Sequence, residues 1–184
     1  MRAIGVSNFS VKKLEALLAA TAGGRHTVSA LQVEAHPYWR NDALAAFCEA
    51  RSIHFSAYSA LGSRHTAGKP AAHEAQGHEL VDDPAVRDVA RRVGKPVQAV
   101  LLRWALQRRP GGSAIFKSTS AEHIKADADV TGWALSDEDM GTLSSLPQRR
   151  MLSGKIFLSE EGPYKTLEEL WDEQADPEQA TKAA

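Results

Sequence analysis

Ile4-Gly5-Val6-Ser7-Asn8-Phe9-Ser10-Val11-Lys12-Lys13-Leu14 changes period halfway along, and that change decides the fold class. Ile4-Gly5-Val6 is short and apolar, as a buried strand is, and the polar pair Ser7-Asn8 ends it. Ser10 then offers a hydroxyl oxygen where a helix needs an N-cap, and Val11, Leu14, Leu17 and Leu18 recur on one face of a 3.6-residue turn. A strand that runs through a polar turn into a capped amphipathic helix is one βα unit.

The same grammar recurs downstream. Gly23-Gly24 ends the helix, and Val28 to Val33 reads as the next strand. Asn41 or Asp42 caps a helix through Leu44, Phe47 and Cys48, and Ile53 to Tyr58 is a third strand. The stretch from about Ser63 to Glu79 is too long for an ordinary connection and reads as a functional lid or as disorder. Asp83-Pro84 starts a helix with proline at its first position, Gly94 closes it, and Pro96 opens another that turns Val97, Val100, Leu101, Trp104 and Ala105 to one side. Ser113 to Phe116 is a fourth strand, Ser120 caps the helix after it, and Ser136-Asp137-Glu138-Asp139 starts the next with acids at its positive end. A short helix through Leu167, Leu170 and Trp171 precedes a frayed end. Strands that alternate with helices imply a parallel sheet, so the chain is expected to be α/β with about four βα units over residues 1–146, followed by a C-terminal loop and tail over residues 147–184.

Composition narrows the function classes. The chain has 184 residues, 43% of them hydrophobic and 24% charged, which is the mix of one globular domain. A net charge of −1 supplies no field for polyanions, so nucleic acid is not an expected partner. No apolar run reaches the ~20 residues that span a bilayer, so no membrane partner is expected. Cys48 is the single cysteine, which rules out an intrachain disulfide and fits a reducing, cytoplasmic location. His65, His73 and His78 share the long loop, but they lack an i, i+4 pair and a carboxylate at ligand spacing, so they read as solvated rather than as metal ligands.

Polar side chains collect at the C-terminal ends of all four strands: Ser7 and Asn8, Gln32 and Glu34, Tyr58 and Ser59, then Lys117, Ser118 and Thr119. In a parallel α/β fold that edge is where ligands bind. Trp104 and Trp133 read as core, and His36 as part of a strand-end turn.

Gly5-Val6-Ser7-Asn8-Phe9, Gln32-Val33-Glu34-Ala35-His36-Pro37-Tyr38, Ala57-Tyr58-Ser59-Ala60-Leu61-Gly62, Leu101-Leu102-Arg103-Trp104-Ala105, Lys117-Ser118-Thr119, Leu135-Ser136-Asp137-Glu138-Asp139-Met140 and Gly162-Pro163-Tyr164 follow one another in that order. This ordered set resembles the aldo-keto reductases, from Arg2 to about Trp171. The resemblance implies a partial (β/α)8 TIM barrel whose four strands correspond to barrel strands five to eight. It also implies NADP(H) as cofactor, NAD(H) being the possible substitute, and a small carbonyl as substrate if an N-terminal half complements the chain. By the same resemblance, Ser7, Asn8 and Gln32 would bond the nicotinamide carboxamide, and Tyr58 would stack on its ring. Ser59, Leu61 and Ser63 would lie along the pyrophosphate. Lys117, Ser118 and Thr119 would hold the adenosine 2′-phosphate, and Arg149 to Trp171 would shape the substrate pocket.

The sequence departs from the family pattern at several of these places. The position six after the lysine, usually Arg, is His123, which lacks the two-pronged guanidinium. Ala126-Asp127 stands where Glu-Asn is frequent, and Asp127 beside a phosphate would be mildly repulsive. Ala60 replaces a frequent proline and loosens its loop. NADPH preference is therefore expected to be weaker than is usual in the family. The family's proton-donor tyrosine and its lysine, aspartate and histidine partners lie on the first four barrel strands. Tyr38, Tyr58 and Tyr164 match none of these positions, so no catalytic residue is assigned. The expectation is a chain that is inactive alone, with open sheet edges that invite self-association. The alternative reading is a truncated nucleotide-binding or partner-binding module without turnover.

Overall fold

A computed structural model describes residues 3–62 and 79–172. Ser63 and the His65, His73 and His78 loop therefore lie outside the described residues. Four strands, Ile4–Ser7 (β1), Val28–Glu34 (β2), His54–Tyr58 (β3) and Ser113–Ala114 (β4), form one parallel sheet in the order β1-β2-β3-β4. Between and after them run seven α-helices among the described residues: Val11–Ala20 (α1), Asp42–Glu49 (α2), Pro84–Val93 (α3), Val97–Arg108 (α4), Ala121–Ala128 (α5), Asp137–Ser144 (α6) and Leu167–Trp171 (α7). Short 3₁₀ turns occur at Leu80–Asp82 and Lys155–Phe157. Each strand adds beside the one before it, with no reversal of order. A doubly wound sheet reverses at a switch point, whereas a barrel winds one way. The chain is therefore part of a (β/α)8 barrel, and its sheet is open, with β1 and β4 at the edges.

Register sorts the two faces of the sheet, because successive side chains in a strand point to opposite sides. Val6 pairs with Leu31 and Leu31 with Phe55, and Val33 pairs with Ala57. These side chains meet Leu14 of α1 and Leu44, Ala45 and Cys48 of α2 in one apolar cluster. The other face carries the rows Gly5–Ala30–His54, Ser7–Gln32–Ser56–Ser113 and Glu34–Tyr58. It is small or polar, and Ser113 Oγ donates to Ser56 Oγ across 2.9 Å on that face. A second cluster forms where α3, α4 and α6 meet around Val86, Val89, Leu101, Trp104 and Leu143. Trp104 is 1% exposed and still satisfies its indole N–H, which donates to Ser144 Oγ at 3.0 Å. Truncating such a side chain costs about 3–5 kcal/mol.

The N-caps follow the sequence reading in most places. Ser10, Asp83, Ser120 and Ser136 each accept a backbone N–H from the first turn of the following helix. Pro84 opens α3 and Gly94 ends it in the left-handed region. Two expectations need correction. Asn41 occupies the N-cap of α2 but makes no capping bond: its backbone is left-handed, and its side chain instead donates to the Glu34 carbonyl at 2.7 Å. The fourth strand was expected over Ser113 to Phe116 but spans only Ser113–Ala114. With a partner on one side only, the ladder continues by a single bond, from Ile115 N–H to the Ala57 carbonyl at 2.7 Å. No helix among the described residues is long and apolar enough to cross a membrane.

The segment after α6 folds back on the strand ends. Arg149 N–H donates to the Tyr38 carbonyl, and Gln148 bonds the Pro37 carbonyl at 3.0 Å. At its far end Asp172 accepts from both Ser10 Oγ and Lys13 Nζ, so α7 is tied to the start of α1. Burial alone would push the Asp172 carboxyl up; the Lys13 and Ser10 donors outweigh it and hold the group below the usual carboxylate range.

Candidate active site at the carboxyl ends of the strands

Ser7 ends β1 and pairs in register with Gln32, so both side chains stand on the polar face one strand apart. Asn8 follows in the left-handed region, φ 59°, and its N–H still reaches the Gln32 carbonyl at 3.0 Å. Asparagine tolerates that conformation better than most residues. Tyr58 ends β3 in register with Glu34. Its phenol O–H donates to Asn8 Oδ1 at 2.8 Å, a bond that spans the end of β2. Ser7, Asn8, Gln32 and Tyr58 are thus brought together. With its oxygen held by Tyr58, the Asn8 amide has its two N–H groups left to offer. Burial first, then the nearby Glu34 charge, pushes the Tyr58 phenol above its ordinary value, so it is protonated throughout the neutral range.

Ser59 follows in the left-handed region, φ 52°, and its carbonyl accepts from Gly62 N–H at 2.7 Å. Leu61 packs into the apolar clusters rather than facing solvent alone. Gly62 has φ 79°, and a Cβ there would lie 2.6 Å from Leu80 Cβ. The loop after β3 is therefore pinned where it leaves the sheet.

Lys117, Ser118, Thr119 and His123 form a second group around the N-terminus of α5. Lys117, Thr119 and His123 are exposed. Ser118 Oγ accepts from Ser120 N–H at 3.2 Å, and Ser120 Oγ accepts from His123 N–H at 3.3 Å. A helix N-terminus with a lysine beside it favours an anion. Asp127, one turn on, was expected beside such an anion. It is 5% exposed, and burial pushes its carboxyl up, with His123 opposing.

Sequence reasoning named Glu34 as a strand-end residue and gave it no role. It is 3% exposed. Its carboxylate accepts from His36 Nε2 at 2.8 Å, Met151 N–H at 2.7 Å and Leu152 N–H at 3.0 Å. Burial alone would push the Glu34 carboxyl up; His36 and the two amides outweigh it and hold it below the usual carboxylate range. The available signal was an acid inside an apolar strand with a histidine two residues on, which places both on one face. Arg150 lies within the Arg149 to Trp171 stretch but was not singled out; its guanidinium lies 4.4 Å from the Trp39 ring and 3.8 Å from the Trp171 ring. A cavity of about 360 Å³ lies at the opposite end of β3, lined by His54, Arg108, Arg109 and Gly112 among others, away from these strand ends.

The Aldo/keto reductase family matches residues 1–147 of this chain. The chain belongs to that family. Among aldo-keto reductases, it is 40% identical over 172 residues to the 7-acetyl-epi-neemfruitin B aldo-keto reductase of Melia azedarach, covering 93% of this chain and 50% of that protein. It is 41% identical to Aldo-keto reductase family 4 member C11 of Arabidopsis thaliana, and 41% identical to deoxymugineic acid synthase 1-B of Triticum aestivum. Both of those alignments cover 93% of this chain and 51% of the relative. The chain spans about half the length of the curated relatives it matches.

Proposed function

We propose that this chain supplies the NADP(H)-binding part of an aldo-keto reductase that converts an aldehyde or ketone to an alcohol. The observation that carries the reading is the meeting of Ser7, Asn8, Gln32 and Tyr58 at adjacent strand ends, with the Tyr58 hydroxyl fixed to Asn8 Oδ1. When bound, the nicotinamide supplies hydride. The donor set here fits its carboxamide, which offers one oxygen and one NH₂. The N–H groups of Asn8 would donate to the carboxamide oxygen, and the exposed Gln32 amide and Ser7 hydroxyl could take the donor. The Tyr58 ring, held at its hydroxyl end, serves as a fixed platform that selects one face of a flat heterocycle. Ser59, Leu61 and Ser63 would follow the pyrophosphate, and the bond from Gly62 to Ser59 keeps that turn tight.

The 2′-phosphate would lie against Lys117, Ser118 and Thr119 at the N-terminus of α5. His123 presents one ring N–H where an arginine would present a fork, so discrimination between NADPH and NADH is expected to be modest. The proton for the alkoxide and the pocket for a hydrophobic carbonyl would need residues beyond these four βα units, so cofactor binding without turnover is expected of the isolated chain. Titration with NADPH, followed by tryptophan fluorescence and calorimetry, tests this. Saturable binding that weakens about tenfold or more in Tyr58→Ala and Lys117→Ala supports it; no binding overturns it. Turnover of an aromatic aldehyde on the order of 1 s⁻¹ by the isolated chain would overturn the division of labour.

A further inference from the structure

Glu34 is the most fully bonded side chain at the strand ends, yet the reading above gives it nothing to do. Its two oxygens accept from Met151 N–H, Leu152 N–H and His36 Nε2, all within 3.0 Å. An ionised carboxylate only accepts, so the His36 ring must donate through Nε2. The backbone of Glu34 is held as well, because its carbonyl takes the Asn41 side-chain amide at 2.7 Å. Glu34 therefore sits on a fixed strand, is itself oriented from below by His36, and presents its remaining acceptor capacity to two successive amides of an irregular segment. Met151 and Leu152 lie outside every described strand and helix. A buried amide left without an acceptor costs about 1–3 kcal/mol, so the seat is energetically decisive for a segment with little secondary structure.

What the seat positions is close to the proposed cofactor platform. Glu34 is the register partner of Tyr58. Next to Met151, Arg150 is stacked between Trp39 of the β2–α2 connection and Trp171 of α7. Leu152, whose amide is the second in the seat, keeps an apolar side chain that is 41% exposed. We propose that Glu34 is a positioning residue: its carboxylate seats the 149–153 segment over the strand ends and so fixes the wall that an apolar carbonyl substrate would meet beside Tyr58. The substrate clause rests on the function proposed above; the seating itself does not.

Hydrogen exchange on the full chain without cofactor separates the two. Glu34→Gln keeps the size of the side chain and one acceptor oxygen, and Glu34→Ala removes both. Exchange at the Met151 and Leu152 amides is expected to rise about tenfold or more in Glu34→Ala and by less in Glu34→Gln. The amides of Leu31 and Leu101, in the sheet and in α4, should keep their wild-type rates. Unchanged exchange at Met151 and Leu152 overturns the proposal. So does an equal rise at Leu31 and Leu101, which would make Glu34 a general support of the fold. If Glu34→Ala does not fold, Glu34→Gln alone decides on the same criteria. Because no cofactor is present, loss of NADPH binding elsewhere leaves this result standing.

Discussion

Cys48 has no exposed surface, and burial pushes its thiol up to about 11, against the opposing charges of Arg109 and Arg51. The thiolate is the reactive form. The folded chain is therefore expected to resist iodoacetamide at pH 8 and to react only as it unfolds in urea; labelling at the rate of a free thiol would contradict the packing. The same shift has a sign for stability. An unfolded thiol ionises near 9.0 and the folded one near 11, so this group's contribution is complete below pH 9 and declines as pH rises between the two. At the second group of the site, His123→Arg adds a charged, forked donor. A charge-assisted hydrogen bond contributes about 1.5–3 kcal/mol, so NADPH is expected to bind about tenfold tighter or more while NADH changes little. Parallel titrations with the two cofactors check this; equal gains for both would remove His123 from the 2′-phosphate site.

At the scale of elements, the turn after β3 is tightly constrained. Gly62→Ala must place a Cβ in a left-handed conformation and against Leu80. The expected cost is about 1–3 kcal/mol, read as a lower urea midpoint at an unchanged slope. How much of the structure the sequence revealed also divides by element. Helix starts were legible where a short hydroxyl or carboxylate side chain bonds its own first turn, as Ser10, Asp83, Ser120 and Ser136 do. That chemistry is local. Asn41 has the same local signature, but a partner seven residues back, the Glu34 carbonyl, takes its side chain. The end of β4 depends on which strands lie beside it, and nothing in Ile115 or Phe116 states that. Likewise Ser7, Asn8, Gln32 and Tyr58 were legible as strand-end residues. The bond from Tyr58 to Asn8 was not, because it needs the register of three strands at once. The partners of Glu34 were invisible for the same reason: Met151 and Leu152 come from a segment with no periodicity to read.

At the scale of the whole molecule, three carboxylates tie distant parts together: Glu34 to the 151–152 amides, Asp139 to Arg92 and Ser136, and Asp172 to Lys13 and Ser10. Burial opposes ionisation at all three, and their donors win, so each is held below its ordinary value. Groups of this kind contribute fully above the unfolded carboxylate range, near 3.8 to 4.5, and lose that contribution as pH falls through their lower folded values. Thermal melts between pH 7 and pH 3 should therefore show little change down to about pH 5 and a steep fall below it; a flat profile would mean the ties are not made in solution. The open sheet has a different consequence. Among the described residues, its face away from α1 and α2 exposes Gly5, Ser7, Gln32 and His54 to water. Any self-association is thus expected to come from the unpaired backbone of β1 and β4, giving a weight-average mass in sedimentation equilibrium that climbs with concentration and is insensitive to salt.

The sequential order of the strands also bears on how the chain acquires its shape. Ile4 pairs with Val28 and Ala30 with His54, so each of the first two pairings closes a short loop within one βα unit, whereas Ser56 must wait for Ser113. Short closures are reached sooner than long ones. The β1–β2–β3 platform that carries Ser7, Asn8, Gln32 and Tyr58 can assemble while the polypeptide is still emerging from the ribosome, and the N-terminus of α5 joins it later.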